Sequence, residues 1–559
     1  LHNFCAADHK AAGTTMLPRR DSYDDLIRDF RWEIPQRFNI GTAVSDAWAA
    51  REPERVALYD YDPDGRHRTL SFGELAARSD AFAAGLRSLG VARGDRVALL
   101  LPQCFETLIA HVAVYKLGAI AVPLALLFGP EALEYRLHTA GAKAVVTNEA
   151  GWAKLAPIRA RLTALSAIVT IDGTGKGTAD FRKLVAGGPK GFVAEDTGPD
   201  DPAMMIFTSG TTGPPKGALH GHRVLLGHLP GIEMAYEFLP QPGDLMWTPA
   251  DWAWAGGLLN ALLPALYFGV PVVASRFEKF EPERALALME AMKVSLAFIP
   301  PTALRMLKGA SGTGFQRQLF LRAVCSAGEA LGRDTYDWAR GALGVTVNEF
   351  YGQTECNLVL GSCGAIGATS GGVTGLPVPG HEVAIVDARG RPVPRGTVGQ
   401  IAVRRPDPVM FLGYWENEAA TEAKFVGDWM TTGDQGFVDA KGFVNFFGRD
   451  DDVITSAGYR IGPGEIEDCL TAHPAVALAA AVGKPDPLRT EIVKAYVVLK
   501  TGLRPSEALA EEIRLWVRER LSAHEYPREV EFVDSMPLTT TGKVIRRIFR
   551  DRARREAEA

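Results

Sequence analysis

The 559-residue chain is short of cysteine, of net charge and of unbroken apolar runs, and each shortage removes a class of function. Its 6 cysteines are Cys5, Cys104, Cys325, Cys356, Cys363 and Cys469, scattered along the chain. The nearest pair, Cys356 and Cys363, has no Cys or His beside it at ligand spacing. Neither a zinc site nor a disulfide framework is indicated, and a reducing cytoplasm fits best. A formal charge of -5 gives no bulk attraction to nucleic acid or to an anionic membrane. The apolar stretch 107–129 is interrupted by His111, Lys116, Gly118 and Pro123, and 258–274 by Pro264, Gly269 and Pro271. A membrane span needs about 20 unbroken apolar residues, so these read as buried helices turning into strands. Residues 1–15 lack a basic region followed by a long apolar one, so no signal peptide is read there. They are expected to form a disordered extension, with Met16 as an alternative start. Fixed-period repeats and long low-complexity tracts are also missing.

What the chain does have is alternation. Hydrophobic residues make up 47% and charged residues 23%, the balance of a globular enzyme, and the length exceeds what one core serves. Ser71-Phe-Gly-Glu74 spells a capping box, followed by Leu75, Phe82, Leu86 and Leu89 at helical spacing up to Gly90. Residues 97–101, 119–123, 144–147, 203–207, 295–299 and 323–326 read as buried strands, with helices over 104–116, 130–139 and 226–234. Such alternation predicts parallel sheets covered on both faces. From about Gly380 the pattern becomes short strands, 383–387, 399–403 and 442–447, joined by Gly/Asp turns. Beyond Arg449 a smaller unit is expected, with strands over 477–482 and 492–499. Its helix over 506–521 puts Leu509, Ile513, Trp516, Val517 and Leu521 on one face. The arginine-rich tail, 545–559, reads as a solvated amphipathic helix.

The chemistry concentrates in Thr208-Ser-Gly-Thr-Thr-Gly-Pro-Pro-Lys-Gly217, directly after an apolar strand. Glycines let backbone N–H groups turn toward an anion, hydroxyls add donors and lysine adds a point charge, which together compose a phosphate cradle. This is not a Walker A loop, because Gly217 follows Lys216 where Ser or Thr would be required. Four further stretches accompany it. They are Ser326-Ala-Gly-Glu-Ala330, Tyr351-Gly-Gln-Thr-Glu355, Thr432-Gly-Asp434 with Gly448-Arg-Asp-Asp-Asp452, and Thr539-Thr-Thr-Gly-Lys-Val-Ile-Arg546. Singly, each reads as a turn, a cap or a solvated loop. His220 and His222 lack a third ligand nearby, which argues against a metal site.

In this order and combination the stretches resemble the adenylate-forming superfamily of acyl-CoA synthetases, luciferases and nonribosomal-peptide adenylation domains. The nearest likeness is to the acetyl- and medium-chain acyl-CoA synthetase branch. The resemblance implies an α/β fold: a large N-terminal domain of two α/β/α layered halves plus a β-barrel part, then a small mobile α+β C-terminal domain. Residues 1–40 would be an N-terminal extension, 41–450 the domain for acid and ATP, and 451–559 the mobile domain, with Asp451 at the hinge. By the same resemblance Thr208, Ser209, Gly210, Thr211, Thr212, Gly213 and Lys216 close over the outer phosphates of ATP. Gly328, Glu329 and Ala330 with Tyr351, Gly352 and Gln353 form the adenine slot, the Tyr351 ring stacked on the base. Thr354 contacts the α-phosphate, Glu355 with Thr208 holds Mg²⁺, and Asp434, aided by Arg449, takes the ribose hydroxyls. Lys543 is expected to bridge substrate carboxylate and α-phosphate, and Arg460 to meet the phosphates. Ala457, Gly458 and Tyr459 are expected at the coenzyme A tunnel.

A carboxylic acid is already ionised at neutral pH, so its attack on phosphorus needs no general base. The obstacle is repulsion between two anions, which calls for cations where charge accumulates. The implied reaction forms an acyl-AMP and pyrophosphate, then an acyl-CoA and AMP. The Lys543 segment also resembles sites where a lysine acetyltransferase silences such enzymes by erasing the charge. Acetate-specific relatives carry a Trp after the adenine-stacking aromatic. Here Gly352 stands there, so a pocket longer than acetate is expected, walled by Trp254 and Gly328, while Trp252 is assigned to the core. At about 0.8 kcal/mol per buried methylene, such a pocket favours medium-chain or branched acids. The same motifs occur in benzoate-type aryl-CoA ligases and in stand-alone adenylation enzymes that load a carrier protein. Asp251 has the residue type that holds an amine in amino-acid-activating members. The motifs are compatible with a monomer or a homodimer.

Overall fold

Short runs of small and β-branched residues form the inner strands of two mostly parallel sheets. The first has eight strands in the order Gly413–Tyr414, Gly217–Gly221, Pro202–Phe207, Ile120–Pro123, Arg96–Leu100, Ala144–Thr147, Ala167–Thr170 and Ala179–Asp180. The second has nine, with Met246–Trp247, Leu296–Phe298, Ala323–Ser326 and Val347–Gln353 in succession on the side that leads to the site. Antiparallel edges arise where Pro202–Phe207 turns back into Gly217–Gly221 and Val347–Gln353 into Asn357–Gly361. The computed structural model describes residues 13–558 apart from 63, 174, 176, 189–190, 209–213, 278, 311–316, 450, 457–458, 488, 522–524 and 540–542. At Tyr459 and Arg460 the backbone alone is described.

Alternate residues of a strand face opposite layers, and the cores follow that period. Val97 and Leu99 join a central core with Phe82, Ile109 and Leu262 and, from the second sheet, Leu296 and Phe298. Ala98 and Leu100 instead pack outward against Leu133, Leu137 and Leu155, and Ala297 packs outward against Leu286 and Leu304. Helices thus fill three layers and sheets two, the layered α/β arrangement expected. The helix Phe72–Ser88 begins with its capping box complete: Ser71 Oγ accepts from Glu74 N at 3.2 Å, and Glu74 Oε2 accepts from Ser71 N at 3.0 Å. Of the stretch read as a disordered extension, 1–12 lies outside the described residues. The chain from Met16 onward is packed: Met16 and Leu17 donate their N–H groups to Glu233 at 2.7 and 3.0 Å, and Leu17, Phe30 and Ile34 are buried.

Where a β-barrel part was implied, the structure has a five-stranded antiparallel sheet. It runs Val383–Val386, Gly399–Arg404, Trp429–Val438, Phe425–Val426, with Val444–Arg449 paired to Trp429–Val438. The last sheet pairs Tyr459–Ile461, Ile454–Ser456, Thr490–Leu499 and Val476–Asp486 antiparallel, with Glu529–Phe532 added in parallel. Its core is separate, built on Ile454, Ile466, Val493, Ile513 and Val517. Among the described residues no helix is long and apolar enough to cross a membrane.

The tail corrects its sequence reading. Arg546–Glu558 is a helix, but it is docked rather than solvated. Phe549, 3% exposed, stacks on Tyr496 with ring centroids 4.3 Å apart, and Ala553 is buried beneath it. Two apolar contacts one turn apart suffice to seat a helix whose other residues are mostly charged, and a composition count hides them. Phe549→Ala should therefore cost about 3 kcal/mol and lower the unfolding midpoint of the C-terminal unit. Arg554→Ala, on the exposed side, should stay within about 0.5 kcal/mol in the same thermal scan.

Candidate active site

Residues just past the carboxyl ends of three strands, Pro202–Phe207, Ala323–Ser326 and Val347–Gln353, converge on one crevice, where open α/β sheets take their ligands. Three connected clusters build it.

The first joins the phosphate-type loop to Glu355. The neck of the loop is closed by Thr208 N donating to Lys216 O at 2.9 Å and Lys216 N donating to Thr208 Oγ1 at 3.2 Å. The Lys216 ammonium lies 5.1 Å above the Tyr414 ring, and the Tyr414 hydroxyl donates to Glu355 Oε1. Lys424 Nζ stands 3.9 Å from the same oxygen, and Glu355 is only 7% exposed. Ser209, Gly210, Thr211, Thr212 and Gly213, at the tip of the loop, lie outside the described residues.

The second cluster is centred on Asp434, which is buried. Tyr351 Oη and Gln353 Nε2 each donate to its Oδ2 at 2.6 Å, while Arg449 Nε stands 3.7 Å from Oδ1. Asp434 and Arg449 are direct partners across adjacent strands, which is why residues so far apart in sequence meet. Burial, with the Asp434 charge beside it, raises the pKa of Tyr351 well above the ordinary phenol value and keeps it a donor. Thr354, next to Gln353, is half-buried in the same turn.

The third cluster brings in the C-terminal unit. Lys543 sits on a turn held by Thr539 N donating to Lys543 O at 2.7 Å and Lys543 N donating to Thr539 Oγ1 at 3.0 Å. Its Cε lies 3.7 Å from the place a Cβ on Gly328 would take, and Trp254 Cζ2 lies 3.2 Å from that same place. Burial deep in the crevice lowers the Lys543 pKa, and the Glu329 and Asp434 carboxylates oppose the shift. By accessible surface the residue is nonetheless exposed, so solvent screening tempers the effect. Glu329 is pinned on both oxygens, by Thr302 N at 3.0 Å and by Arg305 Nη2 at 2.7 Å, and the Ala330 carbonyl accepts from Arg305 at 3.3 Å. Behind Trp254 stand Phe298, with ring centroids 5.6 Å apart, and Phe350, stacked on Phe298 at 5.7 Å. Trp252 is 1% exposed and belongs to the core, as expected. Asp251 accepts from Ala253 N at 2.9 Å, and burial pushes its pKa up to about 6.

Gly352 departs from its sequence reading. Its missing side chain does not open a tunnel, because a Cβ there would stand 1.0 Å from the Asn357 carbonyl oxygen across the hairpin. The strand register shifts between Tyr351 and Gly352, so glycine is demanded by a close backbone approach. Ala457 and Gly458 lie outside the described residues, Tyr459 and Arg460 are seen as the backbone of a short strand, and Asp451 is exposed. Sequence reasoning missed Tyr414, Lys424, Thr302, Arg305, Phe298 and Phe350. None of these belongs to a short motif, and each reaches the site by tertiary packing alone.

Comparison with known proteins agrees with this geometry. Residues 45–415 match the family model of AMP-binding enzymes and residues 465–543 that of the AMP-binding enzyme C-terminal domain. The mitochondrial acyl-coenzyme A synthetase ACSM3 of Homo sapiens is 31% identical over 97% of this chain and 94% of its own length. The acetyl-coenzyme A synthetase of Bacillus subtilis (strain 168) is 32% identical over 95% of this chain and 94% of its own. Among solved structures, the anthranilate CoA ligase AuaEII in complex with anthranoyl-AMP aligns with a TM-score of 0.86 at 29% identity, covering 94% of this chain and 99% of that one. The chain belongs to the AMP-binding, adenylate-forming enzymes and, within them, to the AMP-forming acyl-CoA synthetases.

Proposed function

We propose that the protein joins a medium-chain or branched aliphatic carboxylic acid to coenzyme A through an acyl-adenylate. The observation that carries this reading is Lys543, a residue of the C-terminal unit, lying against Gly328 of the large domain beside Trp254. The acid arrives ionised, and its oxygen attacks the α-phosphorus as the bond to pyrophosphate breaks. Lys543 sits between the two anions and lowers their repulsion as charge builds on the transferring phosphate. Thr208, the 209–213 segment and Lys216 cradle the departing pyrophosphate, with Arg460 adding charge and Thr354 near the α-phosphate. Gly328, Glu329, Ala330 and Tyr351 take the adenine. Asp434, steadied on Oδ2 by Tyr351 and Gln353, offers Oδ1 to the ribose with Arg449. Glu355 and Thr208 suit Mg²⁺: one buried carboxylate and a hydroxyl are hard oxygen donors, and nucleotide phosphates complete such a shell. The ion supplies charge neutralisation of those phosphates.

In the second step residues 451–559 turn about Asp451, Lys543 withdraws, and residues 457–459 come to the coenzyme A tunnel. The thiol sulfur then bonds to the acyl carbon as the bond to AMP breaks. The apolar row of Trp254, Phe298 and Phe350 supports an acid larger than acetate. The same aromatic row, with the likeness to an anthranilate CoA ligase, supports an aromatic acid as the second reading.

Pyrophosphate release across straight, branched and aromatic acids, with and without coenzyme A, tests the substrate class. Turnover should be greatest with aliphatic acids longer than acetate and should require coenzyme A for completion; a maximum at acetate or at a benzoate overturns it. Lys543→Ala should slow acyl-AMP formation at least about 100-fold while thioester formation from supplied acyl-AMP stays within about threefold. Gly352→Trp should raise the KM for ATP about tenfold or more by displacing the hairpin, since a 1 Å misplacement is enough for such losses. The order of preference among acids should stay unchanged in that variant, read from the same assay.

A further inference from the structure

Lys543 belongs to a turn, with no helix or long strand of its own, so something must hold its position relative to the hinge. We propose that Arg546, clamped between Glu467 and Asp452, is a positioning residue for Lys543 that makes the lysine turn, the helix Pro463–Thr471 and the hinge move as one body. The inference rests on the role proposed above for Lys543.

The clamp is bidentate. Arg546 Nε donates to Glu467 Oε1 at 2.7 Å and Nη2 donates to Oε2, while Nη1 stands 3.5 Å from Asp452 Oδ2. Glu467 is itself anchored, because its Oε1 also accepts from Ala481 N at 2.9 Å, in the strand Val476–Asp486 at the edge of the small unit's sheet. One turn along the tail helix, Arg550 donates to Asp452 Oδ1 and to the carbonyl of Asp451. Arginine therefore ties the segment that follows Lys543 to the hinge residue, its neighbour and the small unit's sheet. By contrast, the turn itself is held by the Thr539–Lys543 pair and by Ile545 N donating to Pro537 O at 2.9 Å. Exposed ion pairs fix little, but Glu467 and Asp452 side chains are only 13% and 10% exposed. A forked guanidinium between two such carboxylates fixes direction as well as distance. Burial works against the Arg546 charge, and Glu467 and Asp452 outweigh it and raise its pKa.

The test separates the two half-reactions. In Arg546→Met, ATP–pyrophosphate exchange should fall about 100-fold, with the KM for ATP and the rate of thioester formation from supplied acyl-AMP each within about threefold. Proportional loss of both half-reactions, or unchanged exchange, overturns the proposal. Arg546→Met leaves Glu467 unpaired and can destabilise the unit, so Arg546→Met/Glu467→Gln is measured beside it, glutamine keeping the acceptor for Ala481 N. Exchange still impaired at a wild-type unfolding midpoint supports positioning; exchange restored with the midpoint assigns the pair to stability and overturns it. Lys543→Ala is the control for the underlying reading. If it retains exchange, the role of Lys543 falls; if it loses exchange while Arg546→Met keeps it, the clamp alone falls.

Discussion

A carboxylate and a polyphosphate repel, and three of the cations the large domain brings to the crevice already face carboxylates, while Lys216 lies over the Tyr414 ring at the phosphate-type loop. Arg305 is taken by Glu329 at 2.7 Å, Arg449 faces Asp434 at 3.7 Å, and Lys424 faces Glu355 at 3.9 Å. Each pair neutralises itself where it stands. Like charges 4 Å apart cost about 1 kcal/mol in bulk water and several times that in a partly enclosed site. On the mechanism proposed above, the cation that changes this balance is Lys543, which comes from another folding unit and lies next to the bridge between Leu538 and Val544. Everything else in the architecture, from the separate core of the last sheet to the arginines of the tail helix, bears on where that one ammonium stands.

The point of meeting is a glycine. Gly328 has φ +104°, in the region that favours glycine, and its open face receives both the Lys543 stem and the Trp254 ring. Gly256 lies against the same ring, where a Cβ would stand 2.5 Å from Trp254 Cζ3. The tryptophan is therefore slotted between two side-chain-free positions, one in the short helix Ala255–Gly257 and one just past the strand Ala323–Ser326. On the roles proposed above, the wall of the acid pocket and the lysine share a single contact point, which would couple occupancy of that pocket to the seating of the C-terminal unit.

What the sequence disclosed and what it hid divide along one physical line. Strands such as Ala144–Thr147 and Ala323–Ser326 coincide with their reading, and the Ser71–Glu74 capping box is complete, because period and local hydrogen bonding decide them. The motif residues Asp434, Glu355, Tyr351, Gln353 and Lys543 are brought to one crevice. Their partners were not legible, since Tyr414 on Glu355 and Arg305 on Glu329 depend on strand order and helix docking, which no local pattern encodes. Gly352 misled for the opposite reason: an absent side chain reads equally as open space or as a backbone too close to tolerate one. The tail misled because its six arginines dominate any composition count, although Phe549 on Tyr496 decides its packing.

The seating of the C-terminal unit has an electrostatic limit of its own. Asp468, on the helix Pro463–Thr471, has Oδ1 3.1 Å from the Cβ position of Gly332 in the large domain. Nearby, Glu349 Oε1 accepts from Leu331 N at 3.3 Å while its Oε2 is buried without a partner. Burial pushes Glu349 up to about 8, Asp468 adding to it and Arg305 opposing. Burial also pushes Asp468 up to about 7, against Arg305 and with Glu467, Glu465 and Glu329 adding. Across the contact the Asp468 charge raises Glu349, so that carboxyl binds its proton more tightly with the units together than apart. By linkage that contribution to docking is fully present below the ordinary carboxylate range and is lost as pH rises through about 8. On the role proposed for Lys543, a contact that weakens as Glu349 ionises suits the C-terminal unit, since a permanently tight one would hold the ammonium where the thiol has to enter.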